Sequence, residues 1–181
     1  QGKLVEQREE EGTAKELIAK IKAEKEKLIK EKKIKKEKPL PEITEDEIPF
    51  DIPESWEWVR LSEISEMYTG NSIAKNVKDN KYSKVLDGYD YIGTKDVGFN
   101  NKIDYENGIK IPFEEEKFKY SYENCILMCI EGGSAGRKIG ILDKKVCFGN
   151  KLCSFNAINV NPQFLYYYLK SPAFFQLFKM E

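Results

Sequence analysis

Residues 132–138, Gly-Gly-Ser-Ala-Gly-Arg-Lys, come closest in type and spacing to a chemical loop. Small residues expose backbone N–H groups, and Arg137 and Lys138 add charge, a combination that suits a polyanion. A Walker A loop needs G-x-x-x-x-G-K-[ST], but counting from Gly132 the second glycine position falls on Arg137. G-x-G-x-x-G does not fit either. A nucleophilic Ser134 has no imidazole to serve it, because the chain contains no His. An anion-holding loop and a plain turn both remain open.

Other chemical residues give no constellation. Cys125 and Cys129, and Cys147 and Cys153, are not spaced as C-x-x-C. On one strand the first pair would lie about 13 Å apart, too far to share a metal. Core thiols are the expectation. Asp87, Asp90, Asp96 and Asp104 fall in turn-like segments, where a solvated carboxylate is expected. No catalytic residue, metal site or cofactor motif follows. What remains is polar loops at residues 69–84, 95–102, 134–138 and 149–151, rich in Lys, Asn, Ser and Gly. These types pair with phosphates and base edges, and they also populate ordinary loops.

Charge does not decide between those readings. The net charge is −1, with 13 cations against 14 acids in residues 1–53 and 17 of each beyond, so nucleic-acid binding would rest on local patches. The 181 residues suffice for one domain with a core plus an appendage. There is no apolar run of membrane-spanning length and no signal-peptide core, and four cysteines without repeat-like spacing point to a reduced, cytoplasmic setting. The chain begins without Met, as an internal fragment would.

Several elements must position those loops. Thr13-Ala14-Lys15-Glu16 forms a capping box, and no Gly or Pro follows until Pro39. A charged helix is therefore expected to reach Lys36, about 23 residues and roughly 34 Å long. Ala14, Leu17, Ile18, Ile21, Leu28 and Ile29 form its narrow apolar stripe, which either meets a partner or stays solvated. Residues 39–55, with Pro39, Pro41, Pro49 and Pro53, read as a stiff linker pinned by Ile48, Phe50 and Ile52. A compact domain then begins at Trp56. Strands are expected at 56–61, 89–93, 103–105, 109–111, 138–142, 146–148 and 151–156, with a buried strand at 125–130. Residues 62–68 read as a short helix and 114–122 as a helical or extended link. A helix starts at Asn161-Pro162 with Phe164, Leu165, Tyr168 and Leu169 buried, and a second follows Ser171-Pro172. The fold class is α+β: a long charged N-terminal helix, a compact strand-rich domain and C-terminal helices.

Taken together, certain stretches resemble the specificity subunits of type I restriction–modification enzymes. They are Gln1-Gly2-Lys3-Leu4-Val5, residues 23–31, Ile34-Lys35-Lys36-Glu37-Lys38, and residues 49–61, Pro-Phe-Asp-Ile-Pro-Glu-Ser-Trp-Glu-Trp-Val-Arg-Leu. Downstream come Thr69-Gly70, residues 91–97, the strand ending in Gly-Ser with a nearby Lys-Ile-Gly, and residues 161–172.

The resemblance implies a helical spacer segment at 1–38, the linker at 39–55, and a target recognition domain at 56–181 that is incomplete at its C-terminus. It implies that α-helical spacers separate two recognition domains, each reading half of a split double-stranded DNA target, and that a second long helix partners the first. It implies no catalysis and no cofactor on this chain: methyltransferase and restriction subunits bring S-adenosylmethionine, and ATP with magnesium. Expected DNA contacts are Thr69, Asn71, Ser72, Lys75, Lys78, Lys81, Lys95, Asn100, Asn101, Ser134, Arg137, Lys138 and Lys151, with Arg137 foremost. The other reading is a non-catalytic module that docks a protein through the charged helix.

Overall fold

The computed structural model describes residues 2, 4, 6–38 and 40–180, with side chains described as far as Lys179. Gln1, Lys3 and Val5 of the N-terminal motif, and Pro39 of the linker, lie outside the described residues. The chain forms two compact units, Gln1–Glu66 with Ile158–Val160, and Met67–Ala157 with Asn161–Glu181.

In the first unit α1 spans Ala14–Lys30. Its capping box forms as expected: the Glu16 amide donates to Thr13 Oγ1 at 3.3 Å, and the Thr13 amide to Glu16 Oε2 at 3.1 Å. The helix does not reach Lys36. Lys32 takes φ +57°, its amide donates to Ile29 O at 3.0 Å, and the Lys33 amide donates to Leu28 O at 2.9 Å. This closing turn usually takes Gly; a side chain there costs about 1–2 kcal/mol, offset by two satisfied carbonyls. The cations from Lys33 to Lys38 therefore lie on irregular backbone. Ile21 is the buried residue of α1, which packs against α2 (Leu61–Ile64).

Residues 56–61 were expected in a strand, but 56–60 lie outside either sheet and Leu61 opens α2. Their side chains serve the unit instead. Trp58 meets the Phe50 ring edge-on at 5.1 Å, and Arg60 grips Glu47 at 2.6 and 2.9 Å. Phe50 thus pins the linker, while Ile48 stays exposed. The expected helix at 62–68 lasts a single turn. The Ser65 hydroxyl takes the Leu61 carbonyl at 2.7 Å, and β1 (Ser65–Thr69) begins there.

The second unit stacks its side chains around two four-stranded sheets. One has the order β1-β8-β5-β6 and the other β3-β2-β7-β4. The strands are β2 (Tyr89–Ile92), β3 (Lys110–Ile111), β4 (Tyr120–Ser121), β5 (Ile126–Cys129), β6 (Ile139–Ile141), β7 (Val146–Phe148) and β8 (Leu152–Ala157). A short turn of helix, α3 (Lys75–Val77), continues into a π-helical turn, Lys78–Tyr82, within the expected 69–84 loop. The strand expected at 103–105 shrinks to one bridge, Val97 to Ile103, because residues 97–103 turn back on themselves as a hairpin.

The buried strand is present as expected, with no side chain of β5 more than 1% exposed. Leu127 and Cys129 join Ile92, Val146, Phe148 and Leu152 in one core cluster. Burial of this kind stabilises by roughly 1.5–3 kcal/mol per large side chain. Cys125, Cys129 and Cys147 are buried and Cys153 is partly so; burial pushes the Cys147 thiol up to about 12 and the Cys153 thiol to about 11.

α4 (Pro162–Leu169) starts on Asn161, whose Oδ1 accepts from the Gln163 amide at 2.8 Å, and α5 (Pro172–Met180) follows. Leu165 and Leu169 are buried and α4 packs on β8. Phe164 was expected beside them but is 61% exposed. One residue is about 100° of helix, and the short α4 buries only a narrow i, i+4 stripe. No helix among the described residues is long and apolar enough to cross a membrane.

Candidate nucleic-acid interface

Strand order brings the expected loops of the second unit to one end. β2 and β7 are parallel, with Ile92 opposite Phe148, so both chains leave the sheet on the same side. The Gly149 amide donates to Ile92 O at 2.9 Å, the Ile130 amide to Lys151 O at 3.0 Å, and the Asn71 amide to Phe148 O at 2.9 Å. Residues 69–72, 93–102, 130–138 and 149–151 thereby share one pole.

The first loop is held tightly. A Cβ on Gly70 would stand 2.0 Å from Phe148 O, so only Gly allows this approach. Asn71 uses its carboxamide internally: Oδ1 accepts from the Lys119 amide at 2.7 Å, and Nδ2 donates to Lys117 O at 3.4 Å. Its carbonyl accepts from Tyr91 OH at 2.7 Å, and Thr69 O accepts from Lys119 Nζ at 2.8 Å. Ser72 and Lys75 are exposed. Lys78 Nζ lies 4.7 Å from the centre of the Tyr91 ring. Lys81 pairs with Glu115, which also holds Lys117 at 3.0 Å. Those bonds, Lys81's the larger, draw the Glu115 carboxyl down to about 2.

The second loop carries a correction. Asp90 and Asp96 were expected in solvent, yet they are 8% and 6% exposed. Asp90 meets Lys144 at 2.6 Å. Asp96 folds back on the turn, accepting from the Gly93 amide at 2.8 Å; burial raises its pKa, partly opposed by that bond. Beyond it the chain makes a tight hairpin. The Gly98 amide donates to Lys102 O at 2.9 Å, Asn101 takes φ +64°, and Asn100 Oδ1 accepts from the Lys102 amide at 3.1 Å. Phe99 and Asn100 form the exposed tip, with Lys95 nearby in sequence and 3.9 Å from Asp96.

The glycine loop sits beside this hairpin. Gly132 and Gly136 take φ of +73° and +68°, and a Cβ on Gly136 would meet Phe175 and Phe178 of α5 at about 3 Å. The Ser134 carbonyl accepts from the Arg137 and Lys138 amides, at 3.0 and 3.2 Å. The Arg137 guanidinium donates to Gly133 O and lies 5.5 Å from the Phe99 centroid. Lys138 Nζ lies 5.1 Å from the same ring and donates to Thr94 O at 3.0 Å. Lys151 is exposed, 3.8 Å from Glu131.

The fold therefore gathers Lys95, Asn100, Asn101, Ser134, Arg137, Lys138 and Lys151 beside Thr69, Asn71 and Ser72. Lys78 and Lys81 fall instead on the π-turn against Tyr91, Tyr82 and Glu115. Sequence reasoning passed over Phe99, Lys117 and Lys119. For Phe99 a signal existed: an aromatic residue between Gly98 and Asn100-Asn101, in a segment otherwise made of turn residues.

Residues 53–179 match the family model of the type I restriction modification DNA specificity domain. The chain belongs to this family. It is 52% identical over 66 residues to the type I restriction enzyme EcoAI specificity subunit of Escherichia coli, and 55% identical over 64 residues to the EcoEI specificity subunit of the same organism. These matches cover 36% and 35% of the chain and 11% of each relative, so the matched part is about a tenth of those proteins' length. In fold it is similar to the crystal structure of the HsdS subunit from Thermoanaerobacter tengcongensis, with a TM-score of 0.53 and 19% identity over 67% of this chain and 29% of that one. The α+β reading of this DNA specificity domain agrees with that likeness.

Proposed function

We propose that the chain is the non-catalytic, DNA-reading part of a type I restriction–modification specificity subunit. Its loop pole reads one half of a split duplex target, and the subunit places that target before methyltransferase and restriction subunits, which carry the chemistry. Support comes foremost from the convergence of four loops, tied by the Asn71–Phe148, Gly149–Ile92 and Ile130–Lys151 bonds, on a surface carrying Arg137, Lys138 and Lys151. Family membership supports the same reading. Within the pole, Lys95, Asn100, Asn101, Ser134, Arg137, Lys138, Lys151 and Ser72 are the contacting residues. Thr69 and Asn71 hold the loop in place through Lys117 and Lys119.

The test is selection of bound duplexes from a random pool by the complete subunit with its methyltransferase partner. One enriched half-site should depend on this chain. Arg137→Ala should then cost about 1–3 kcal/mol on the selected duplex if Arg137 reads a base. If it touches only phosphate, all duplexes weaken alike and the salt slope flattens by about one. Enrichment of no sequence, with a salt slope near zero, would replace this proposal by the protein-docking module.

A further inference from the structure

Phe99 is 61% exposed, yet it is rigidly presented. The Val97–Ile103 bridge, the Gly98–Lys102 bond and the left-handed Asn101 fix the hairpin whose tip it occupies. Two cations lie over its ring, the Arg137 guanidinium at 5.5 Å and Lys138 Nζ at 5.1 Å from the centroid. Lys138 is itself anchored on Thr94 O. Cations are attracted to the face of an aromatic ring, so the face they cover is engaged while the exposed edge is left for a ligand. An exposed apolar edge beside charges that suit phosphate matches one feature of duplex DNA, the C5-methyl of thymine, which lies in the major groove within reach of the backbone. Insertion between base pairs is the other known use of an apolar tip. It would need the ring faces free and costs a few kcal/mol of unstacking.

We infer that Phe99 is a specificity-determining residue that reads a thymine through its 5-methyl group while Arg137 and Lys138 hold the adjoining backbone. This rests on the DNA-reading function proposed above. It adds a contact of defined chemistry to that function.

The experiment replaces each thymine of the selected duplex by uracil, one at a time, and measures binding by the complete subunit in its complex. One position should weaken wild-type binding about fourfold, the factor for a single buried methyl. Phe99→Ala should bind the thymine and uracil duplexes equally, and Phe99→Leu, which keeps an apolar tip, should retain part of the difference. The inference is overturned if no position is uracil-sensitive, or if Phe99→Ala discriminates as well as wild type. It is also overturned if 2-aminopurine beside the site brightens on wild-type binding but not on Phe99→Ala binding, which marks a wedge. Failure of the wild-type subunit to prefer any duplex would instead sink the DNA-reading function, and this contact with it.

Discussion

Gly140 and Ile103 touch where the Phe99 hairpin rests on β6. A Cβ on Gly140 would stand 2.7 Å from Ile103 Cγ1 and 3.2 Å from the Asn101 carbonyl oxygen. Gly140→Ala should therefore lift the hairpin and cost about 1–3 kcal/mol, as overpacking does. Thermal melting should fall by roughly 2–4 °C per kcal/mol lost. Sequence preference should fall more than general duplex affinity, because Arg137 and Lys138 remain. An unchanged preference would show that the hairpin's position is immaterial to reading.

Glu115 binds Lys81 and Lys117 and, with its carboxyl drawn down to about 2, stays ionised throughout ordinary working conditions. Its contribution is complete above the unfolded carboxyl's pKa of about 4.3 and is lost only as pH falls through 2. Near neutrality it therefore holds both lysines as an ionised carboxylate. Because both lysines lie outside the residues assigned to the pole, Glu115→Gln should free them yet leave the salt slope of duplex binding unchanged. Titration of binding against salt checks this, and a slope steeper by about one or two phosphate contacts would place Lys81 and Lys117 on DNA.

Asp96 gives a stability signal of opposite sign. Burial raises its folded pKa, so between the unfolded value of about 3.9 and the folded one the native state holds a proton that the unfolded state has lost. Stability from this group is complete below the unfolded value and declines as pH rises through the folded pKa. Asp96→Asn keeps an oxygen to accept from the Gly93 amide and has no charge to bury. The variant's melting temperature should gain on wild type as pH rises from 3 to about 7. Parallel curves would mean that Asp96 ionises without cost.

At the end of α1 the left-handed Lys32 invites replacement by the residue that suits it. Lys32→Gly should stabilise by about 1 kcal/mol, since Gly adopts this φ without a Cβ clash. Thermal melting of the chain measures it; a lower melting temperature would mean that the Lys32 side chain contributes more than its strain costs.

Much of the fold was legible because its signals are local. The Thr13–Glu16 box and the Asn161-Pro162 helix start satisfy themselves within a few residues, and the apolar run of β5 announces itself by composition although its partners lie on β6 and β8. The misread elements depend on which side chains enclose them, which local composition does not state. Trp56 to Arg60 has strand composition, but Phe50 and Glu47 take its side chains, and residues 65–69 join a sheet instead. The acids at 90 and 96 look like turn residues until Lys144 and the Gly93 amide enclose them.

By itself the sequence determined the element types with self-contained caps and cores, the absence of a histidine-based catalytic site, and four polar loops with Arg137 and Lys138 in one of them. Only the tertiary structure decided that these loops share a pole, because that follows from the parallel β2–β7 register and backbone bonds between residues up to 77 apart. It also decided which polar groups are committed inside, as with the Asn71 carboxamide, and which face outward around Phe99. Composition states what a side chain could bond to, and packing states which of those partners it already has.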